Sequence, residues 1–324
     1  MTDNRLQKSL EEEFINNDPL YNFGGWVPPV IFGGVVSPTP TPSITPTLTP
    51  TITPTLTPSI TPTITPTPSP AGYDPDYDAI LTYATGQGYT LPTDIQKTLQ
   101  NQLVVDLKSY GIWTDLDIFY VFATDGDEKF SLINWKNPNA FEATKSSILS
   151  PVFTTNQGWD QNGSSNYLIT GFITSVNGTG YTLNDAARIY YDYDNDTTTT
   201  QVGYSGNIVQ GGVQPDRWNG TNVSSHSVNS TNLLSSAFDN TGIGLKMIQR
   251  TSSTIVNLYN NSATPNARTQ TSVALDTNTH TILRYGSGAG NYSSNICSMY
   301  GLGASMSGKE TDLYNAINTY MASI

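Results

Sequence analysis

The chain has 324 residues, a formal net charge of −12 and one cysteine, Cys297. The acidic balance excludes nucleic acid and anionic membrane surfaces as partners, because both need clustered Lys and Arg. The lone cysteine excludes an intrachain disulfide and a thiolate zinc site, and with only His226 and His280 neither a metal nor a cofactor is expected.

Charged residues are 12% of the chain, about half the usual share. A helical bundle or coiled coil needs many Glu, Lys and Leu, so the composition points to a β-protein with a neutral, hydroxyl-rich surface. Of 20 prolines, 11 fall between Pro38 and Pro70, which divides the chain into residues 1–36, 37–70 and 71–324. Only the last piece is long enough to bury a sizeable core.

In the first piece, Asp3 to Phe14 has Leu6, Leu10 and Phe14 at helical spacing, with Thr2 or Asp3 to cap it and Asp18-Pro19 to end it. Residues 21–36 follow, rich in aromatic and β-branched side chains but too few for a core. One reading is an unstructured leader. The reading preferred here is an anchor peptide that orders by docking Phe23, Trp26 and Phe32 into pockets of another protein. Met1 to Glu13 has no apolar h-region. The longest apolar run, Trp26 to Val36, contains Pro28, Pro29, Gly33 and Gly34. Neither a secretory signal nor membrane insertion is expected. The expectation is synthesis in the cytoplasm and export as part of a larger assembly.

From Ser37 to Pro70 every odd position is Ser or Thr and every even position is Pro, Ile or Leu. Ile44, Leu48, Ile52, Leu56, Ile60 and Ile64 recur every fourth residue. An extended chain alternates faces with period two, so one face is wholly apolar and the other wholly hydroxyl. A polyproline II helix, with three residues per turn, would wind these positions around its surface. Proline cannot donate to a β-ladder. The inference is a thin stalk of several copies laid side by side, apolar faces inward; the plainer alternative is an extended mucin-like linker.

The third piece opens with a helical region, Tyr73 to Tyr110, restarted at Leu91-Pro-Thr-Asp94 with Thr93 or Asp94 near the cap. Ile95, Leu99, Leu103 (or Gln102) and Leu107 give the helical period, and Gly111 stops it. A buried strand is expected over Asp117–Thr124, then a turn at Asp125-Gly126-Asp127 and a second strand through Phe130 to Trp135. Further strands are expected within Tyr167–Thr174, Ala187–Tyr193, Gln201–Tyr204, Gly244–Gln249, Thr254–Tyr259, Thr271–Ala274, Thr281–Tyr285 and Ile296–Leu302. A last helix, Lys309 to Met321, capped by Ser307, would bury Leu313, Ile317 and Tyr320. Many short strands between turn signals predict a mainly β sandwich or jelly roll with a helical lead-in and a C-terminal helix.

The segments Tyr89–Pro92, Leu103–Trp113, Phe119–Asp127, Leu132–Pro138, Phe153–Gly158 and Tyr300–Ser307, with Tyr314 and Tyr320, resemble virion proteins of tailed bacteriophages. The resemblance covers most of residues 73–324 and none of 1–70. It implies a concanavalin-like (laminin-G-like) jelly roll in a fibre or capsid appendage, with a capsid or tail protein as the partner of the N-terminal segment.

Concanavalin-like folds include glycoside hydrolases, which need two carboxylates about 5–9 Å apart. Residues 71–324 hold three glutamates, Glu128, Glu142 and Glu310, without the Glu-x-Asp-x-x-Glu spacing that the related glucanases use. No catalytic residue is assigned. Gly286–Gly290 reads as a long hairpin loop, not a phosphate cradle. Asp192, Asp194 and Asp196 alternate and on a strand would share a face able to hold Ca²⁺. Thr197 stands where a helix–loop–helix calcium loop has glycine, so a solvated strand end is the preferred reading. Trp159, Tyr181, Tyr193 and Trp218 are candidate glycan contacts, because aromatic rings stack on the apolar faces of sugars; ordinary packing is the plainer alternative for each.

Three readings follow. The first and preferred one is a structural virion protein, a head or tail appendage with anchor, stalk and β-sandwich head. It would be homotrimeric, with weak adhesion to a host-surface glycan. The second is a dedicated receptor-binding adhesin, and the third a polysaccharide-degrading enzyme.

Overall fold

The computed structural model describes residues 72–146, 151–160, 166–194, 211–214, 224–231, 234–236, 242–261, 264–284 and 295–324. The expected anchor and stalk, Trp218, Asp196, Gln201–Tyr204 and Gly286–Gly290 lie outside the described residues. In chain order the elements are α1 (Pro75–Gln87), α2 (Asp94–Ser109), β1 (Leu116–Val121), α3 (Glu128–Ser131), β2 (Thr144–Lys145), β3 (Val152–Thr154), β4 (Gly158–Asp160), β5 (Leu168–Ile169), α4 (Thr174–Asn177), β6 (Ala186–Asp192) and β7 (Gly211–Gln214). There follow β8 (Ser224–Val228), β9 (Leu234–Ser236), β10 (Gly244–Arg250), β11 (Ile255–Asn260), β12 (Asn266–Thr269), β13 (Thr281–Ile282), β14 (Cys297–Gly303) and α5 (Glu310–Met321).

The strands form antiparallel sheets. The largest runs β12-β11-β10-β6-β14 and then divides. β14 pairs with β6 along one edge, and its other edge is shared between β1, opposite Met299–Gly303, and β4, opposite Cys297. β3 pairs outside β4. Two three-stranded sheets, β13-β5-β2 and β7-β8-β9, complete the set. Gly158 makes the β4 approach possible. Its φ is +118°, and a Cβ there would lie 2.1 Å from the Cys297 carbonyl oxygen.

Every residue of β6, β10 and β14 is buried, because both faces of the large sheet are covered. Alternation along the strands separates the two faces. Phe119, Val121, Ala187, Ile189, Leu245, Met247 and Met299 share a core with Tyr77, Ile80, Leu103, Leu107, Leu313, Ile317 and Tyr320 of the helices. Ile118, Tyr120, Tyr190, Ile248, Leu258, Tyr300 and Leu302 face the opposite way and pack with Leu168, Phe172, Val228, Ile282 and Leu283. The result is an antiparallel β-sandwich with a helical layer on the outer face of its large sheet.

A buried hydrogen-bond network joins the helices to the sheet. Gln100 of α2 accepts from the Tyr77 hydroxyl at 2.7 Å and donates to Thr124 Oγ1 at 3.1 Å and to the Tyr320 hydroxyl at 3.2 Å. Tyr320 donates in turn to the Ala123 carbonyl at 2.6 Å. One turn earlier, Gln96 accepts from Thr124 Oγ1 at 2.8 Å and donates to Asn156 Oδ1 at 2.7 Å. At the other end, Gln249 of β10 bonds Tyr259, Glu310 and the Met306 amide, which fixes the start of α5.

Several expectations are corrected. Phe130–Trp135 is not a strand: Asp127 Oδ1 accepts from the Phe130 amide at 2.9 Å and caps the helical turn α3. Thr271–Ala274 forms no strand, since Ser272 N bonds Ser253 O and Val273 N bonds Asn229 O; the strand is β12, just upstream. The buried stripe of α2 is Gln96, Gln100, Leu103, Val104 and Leu107, and Ile95 is 78% exposed. Thr93 caps α2, but α5 begins after Lys309 with no side-chain cap from Ser307.

Tyr320→Phe removes one hydroxyl and takes its donor from the buried Ala123 carbonyl, while Gln100 Nε2 keeps Thr124 Oγ1 and Gln96 Oε1. It is expected to cost about 1–3 kcal/mol in denaturant unfolding. Tyr314→Phe, at a half-buried position of the same helix, is expected to stay within about 0.5 kcal/mol.

Candidate functional site

Three of the four candidate glycan contacts, Trp159, Tyr181 and Tyr193, lie among the described residues, and the structure does not bring them together at a loop tip. Trp159 is 0% exposed and Tyr181 1%, so neither ring is at a loop tip for a sugar to stack on. The Trp159 indole lies in the sandwich core, donates to Ser131 Oγ at 2.9 Å and packs on Phe153 with ring centroids 5.5 Å apart. Tyr181 is drawn inward because Asp117 of β1 accepts from the amides of Thr179, Gly180 and Tyr181 at 3.1, 2.8 and 2.8 Å. Tyr193 is half-buried, with its ring against the helix-side core.

Of the alternating aspartates, Asp192 and Asp194 are described, and they do not share a strand face. β6 ends at Asp192, which is fully buried and not solvated, and Asp194 Oδ1 accepts from the Ile296 amide at 2.7 Å, next to the start of β14. Among the described residues, no group of three or more His, Cys, Asp or Glu is placed to hold a metal ion. Among the same residues no helix is long and apolar enough to cross a membrane.

Inside the sandwich, Arg188 donates from Nε and Nη2 to the Tyr181 hydroxyl at 3.2 and 3.1 Å. The His280 ring lies 6.4 Å from the rings of Tyr181 and of Phe172. Burial opposes the Arg188 charge, but Tyr181, Tyr300 and Asp276 outweigh it and the guanidinium stays charged. Burial, and then the Arg188 charge, hold the His280 imidazole well below its ordinary range. Both side chains are closed off from solvent, so the cluster joins β6 to the segment before β13 and offers no approach to a substrate.

The surface offers a different constellation. Tyr83 on α1 donates to Glu142 Oε2 at 2.8 Å, and Tyr89 donates to Glu142 Oε1 at 2.8 Å. All three residues are half-buried. Local chain chemistry assembles the clamp. Gly88 ends α1 in the left-handed region (φ +73°), the Gly88 and Tyr89 amides return to Thr85 O and Ala84 O, and Tyr89 is turned toward Tyr83. On the other side Phe141 holds φ +60°. Its carbonyl accepts from the Tyr120 hydroxyl at 2.5 Å, its ring meets Phe172 edge-on at 5.3 Å, and the Ala143 amide bonds Leu132 O. These contacts hold an uncommon backbone conformation in place at Phe141, next to Glu142. Burial, then the hydrogen bond to Glu142 and its charge, push the Tyr83 phenol up to about 12. Tyr89 moves the same way for the same causes. Both phenols therefore remain donors at neutral pH. Lys129 Nζ lies 5.8 Å from the centroid of the Tyr89 ring. Sequence reading missed this site because Glu142 lies 53 and 59 residues from its partners.

The other two glutamates of this region lie elsewhere. Glu128 pairs with Lys145 at 3.1 Å, and Glu310 accepts from Gln249 and Tyr259 at 2.8 and 3.0 Å.

His280 generates a pH prediction. Its folded pKa lies below the unfolded value of about 6.5, so its contribution to stability is complete above that pH and is lost as pH falls further. The melting temperature is expected to drop between about pH 7.5 and pH 5, and His280→Gln is expected to flatten that drop. An unchanged pH slope in the variant would refute this assignment.

The chain matches no protein-family model, and no curated protein matches it significantly. Solved structures with a similar arrangement include domain 4 of AbnA, a GH43 extracellular arabinanase from Geobacillus stearothermophilus, in complex with arabinotriose. Identity there is 13% and the TM-score 0.43, over 62% of this chain and 98% of that one. Trypanosoma rangeli sialidase in complex with sialic acid aligns at 10% identity and TM-score 0.44, over 69% and 39%. The botulinum neurotoxin serotype D binding domain aligns at 10% identity and TM-score 0.45, over 65% and 52%. This chain thus spans about two fifths of the sialidase and about half of the neurotoxin domain. At these levels of similarity the likenesses assign neither a family nor a ligand.

Proposed function

We propose that this chain is a structural virion protein of a tailed phage, a head or tail appendage that projects a concanavalin-like jelly roll from the particle and adheres weakly to surface glycans. The observation that carries the reading is the strict two-residue phase of residues 37–70, placed between a short aromatic-rich segment and a large β-domain. A flexible spacer has no need of that phase, whereas a stalk of parallel copies does. The phage attribution is supported by the sequence segments quoted above, and the homotrimer by the need of each apolar stalk face for a partner. In this reading Phe23, Trp26 and Phe32 dock on a capsid or tail protein, and burying each contributes roughly 1.5–3 kcal/mol before ordering costs. A non-enzymatic role is part of the proposal. It is supported by the separate partners of Glu128, Glu142 and Glu310, where a glycosidase would bring two carboxylates to one bond.

The test is incorporation into particles. Deletion of residues 1–36 is expected to leave residues 72–324 folded but absent from purified virions in quantitative proteomics, and the triple change of Phe23, Trp26 and Phe32 to Ser to act nearly as strongly. Incorporation of the truncated chain at parental copy number would refute the anchor.

A further inference from the structure

We propose that the Glu142 carboxylate, with the rings of Tyr83 and Tyr89 beside it, binds the vicinal diol of a neutral sugar; the proposal rests on the adhesive part of the reading above and gives it a site. An ionised carboxylate has about four acceptor positions. Here each oxygen takes one phenol hydrogen bond, at 2.8 Å, and keeps capacity for another. Two oxygens on one carbon present those free positions side by side, which suits two hydroxyls on adjacent ring carbons. Because both phenol hydrogens point at Glu142, the phenol oxygens are left as acceptors for further hydroxyl hydrogens.

The clamp also fixes the carboxylate before any ligand arrives. An exposed glutamate loses side-chain freedom when it binds; one already held by two donors and a constrained backbone at Phe141 loses less. The half-buried tyrosine rings offer apolar faces for the C–H surface of a pyranose. Charge selects the ligand class. The site centres on a carboxylate in a chain of net charge −12, so uronic and sialic acids are repelled and neutral hexoses are favoured. Lys129, beside Tyr89, is placed to donate to a ring or exocyclic oxygen.

Saturation-transfer NMR with the purified full-length chain tests the site. The probes are methyl β-D-glucopyranoside, methyl β-D-galactopyranoside and methyl α-D-mannopyranoside at millimolar concentration. The 3-deoxy analogue of the glucoside is the control, because loss of the 3-hydroxyl removes every vicinal pair on the ring. At least one glycoside is expected to receive saturation. Glu142→Ala is expected to weaken that signal about tenfold or more, the factor that one lost charged hydrogen bond gives. The 3-deoxy analogue is expected to show a similar loss relative to the glucoside wherever the glucoside binds. The double variant Tyr83→Phe, Tyr89→Phe keeps both rings but frees the carboxylate, so an intermediate loss is expected. Thermal melts equal to the parent's show that the surface variants fold. Absence of transfer to all three glycosides, equal transfer to parent and Glu142→Ala, or equal transfer to the glucoside and its 3-deoxy analogue would overturn the proposal. None of these results bears on particle incorporation, where Glu142→Ala is expected to behave as the parent does, so the two readings fail separately.

Discussion

The centre of the large sheet has no face for water. Its three central strands, β6, β10 and β14, are buried along their whole length, and an antiparallel sheet in that position needs cover on both sides. The small sheets cover one face and α1, α2 and α5 the other. The helices are therefore half of the core and not a preface to it. Apolar burial alone does not fix their seating, since such contacts are non-directional. The hydrogen bonds from Gln100 to Tyr77, Thr124 and Tyr320 supply direction.

The same constraint explains the polar side chains inside the sheet. A charge without water must find partners in the protein. Arg250 does so with backbone and amide oxygens: Nε and Nη2 bond Val228 O, Nη1 bonds Ser252 O and Gln270 O, and Nη2 also bonds Gln270 Oε1. The guanidinium thereby ties β10 to the end of β8 and to the segments that flank β11 and β12. Arg188 does the same work toward Tyr181. These clusters are part of the architecture, and their enclosure leaves recognition to the surface. There, Tyr83, Tyr89 and Glu142 form an ordered polar surface with aromatic flanks, held by the end of α1 and the loop before β2.

Much of this was legible in the sequence, and the failures have physical causes. Ala187–Tyr193, Gly244–Gln249 and Ile296–Leu302 read as strands because they are short apolar-rich runs between turn signals, and each matches a central strand within a residue or two. Phe130–Trp135 has the same composition, but the Asp127 cap overrides it. Ile95 satisfied the helical period, yet the buried stripe runs through Gln96 and Gln100, whose amides are needed by the network. Trp159 and Tyr181 show that aromatic identity does not separate a surface platform from a core ring; what draws Tyr181 inward is Asp117, 64 residues away. The Glu142 clamp is equally non-local.

Hydrogen exchange resolved along the full chain tests the central claim most directly, that helices and sheet form one cooperative core. If they do, the most protected amides of α2 and α5 open with the same free energy as those of β6, β10 and β14 and respond equally to denaturant. Exchange of the helices through a separate, low-energy opening while the sheet stays protected would contradict the account.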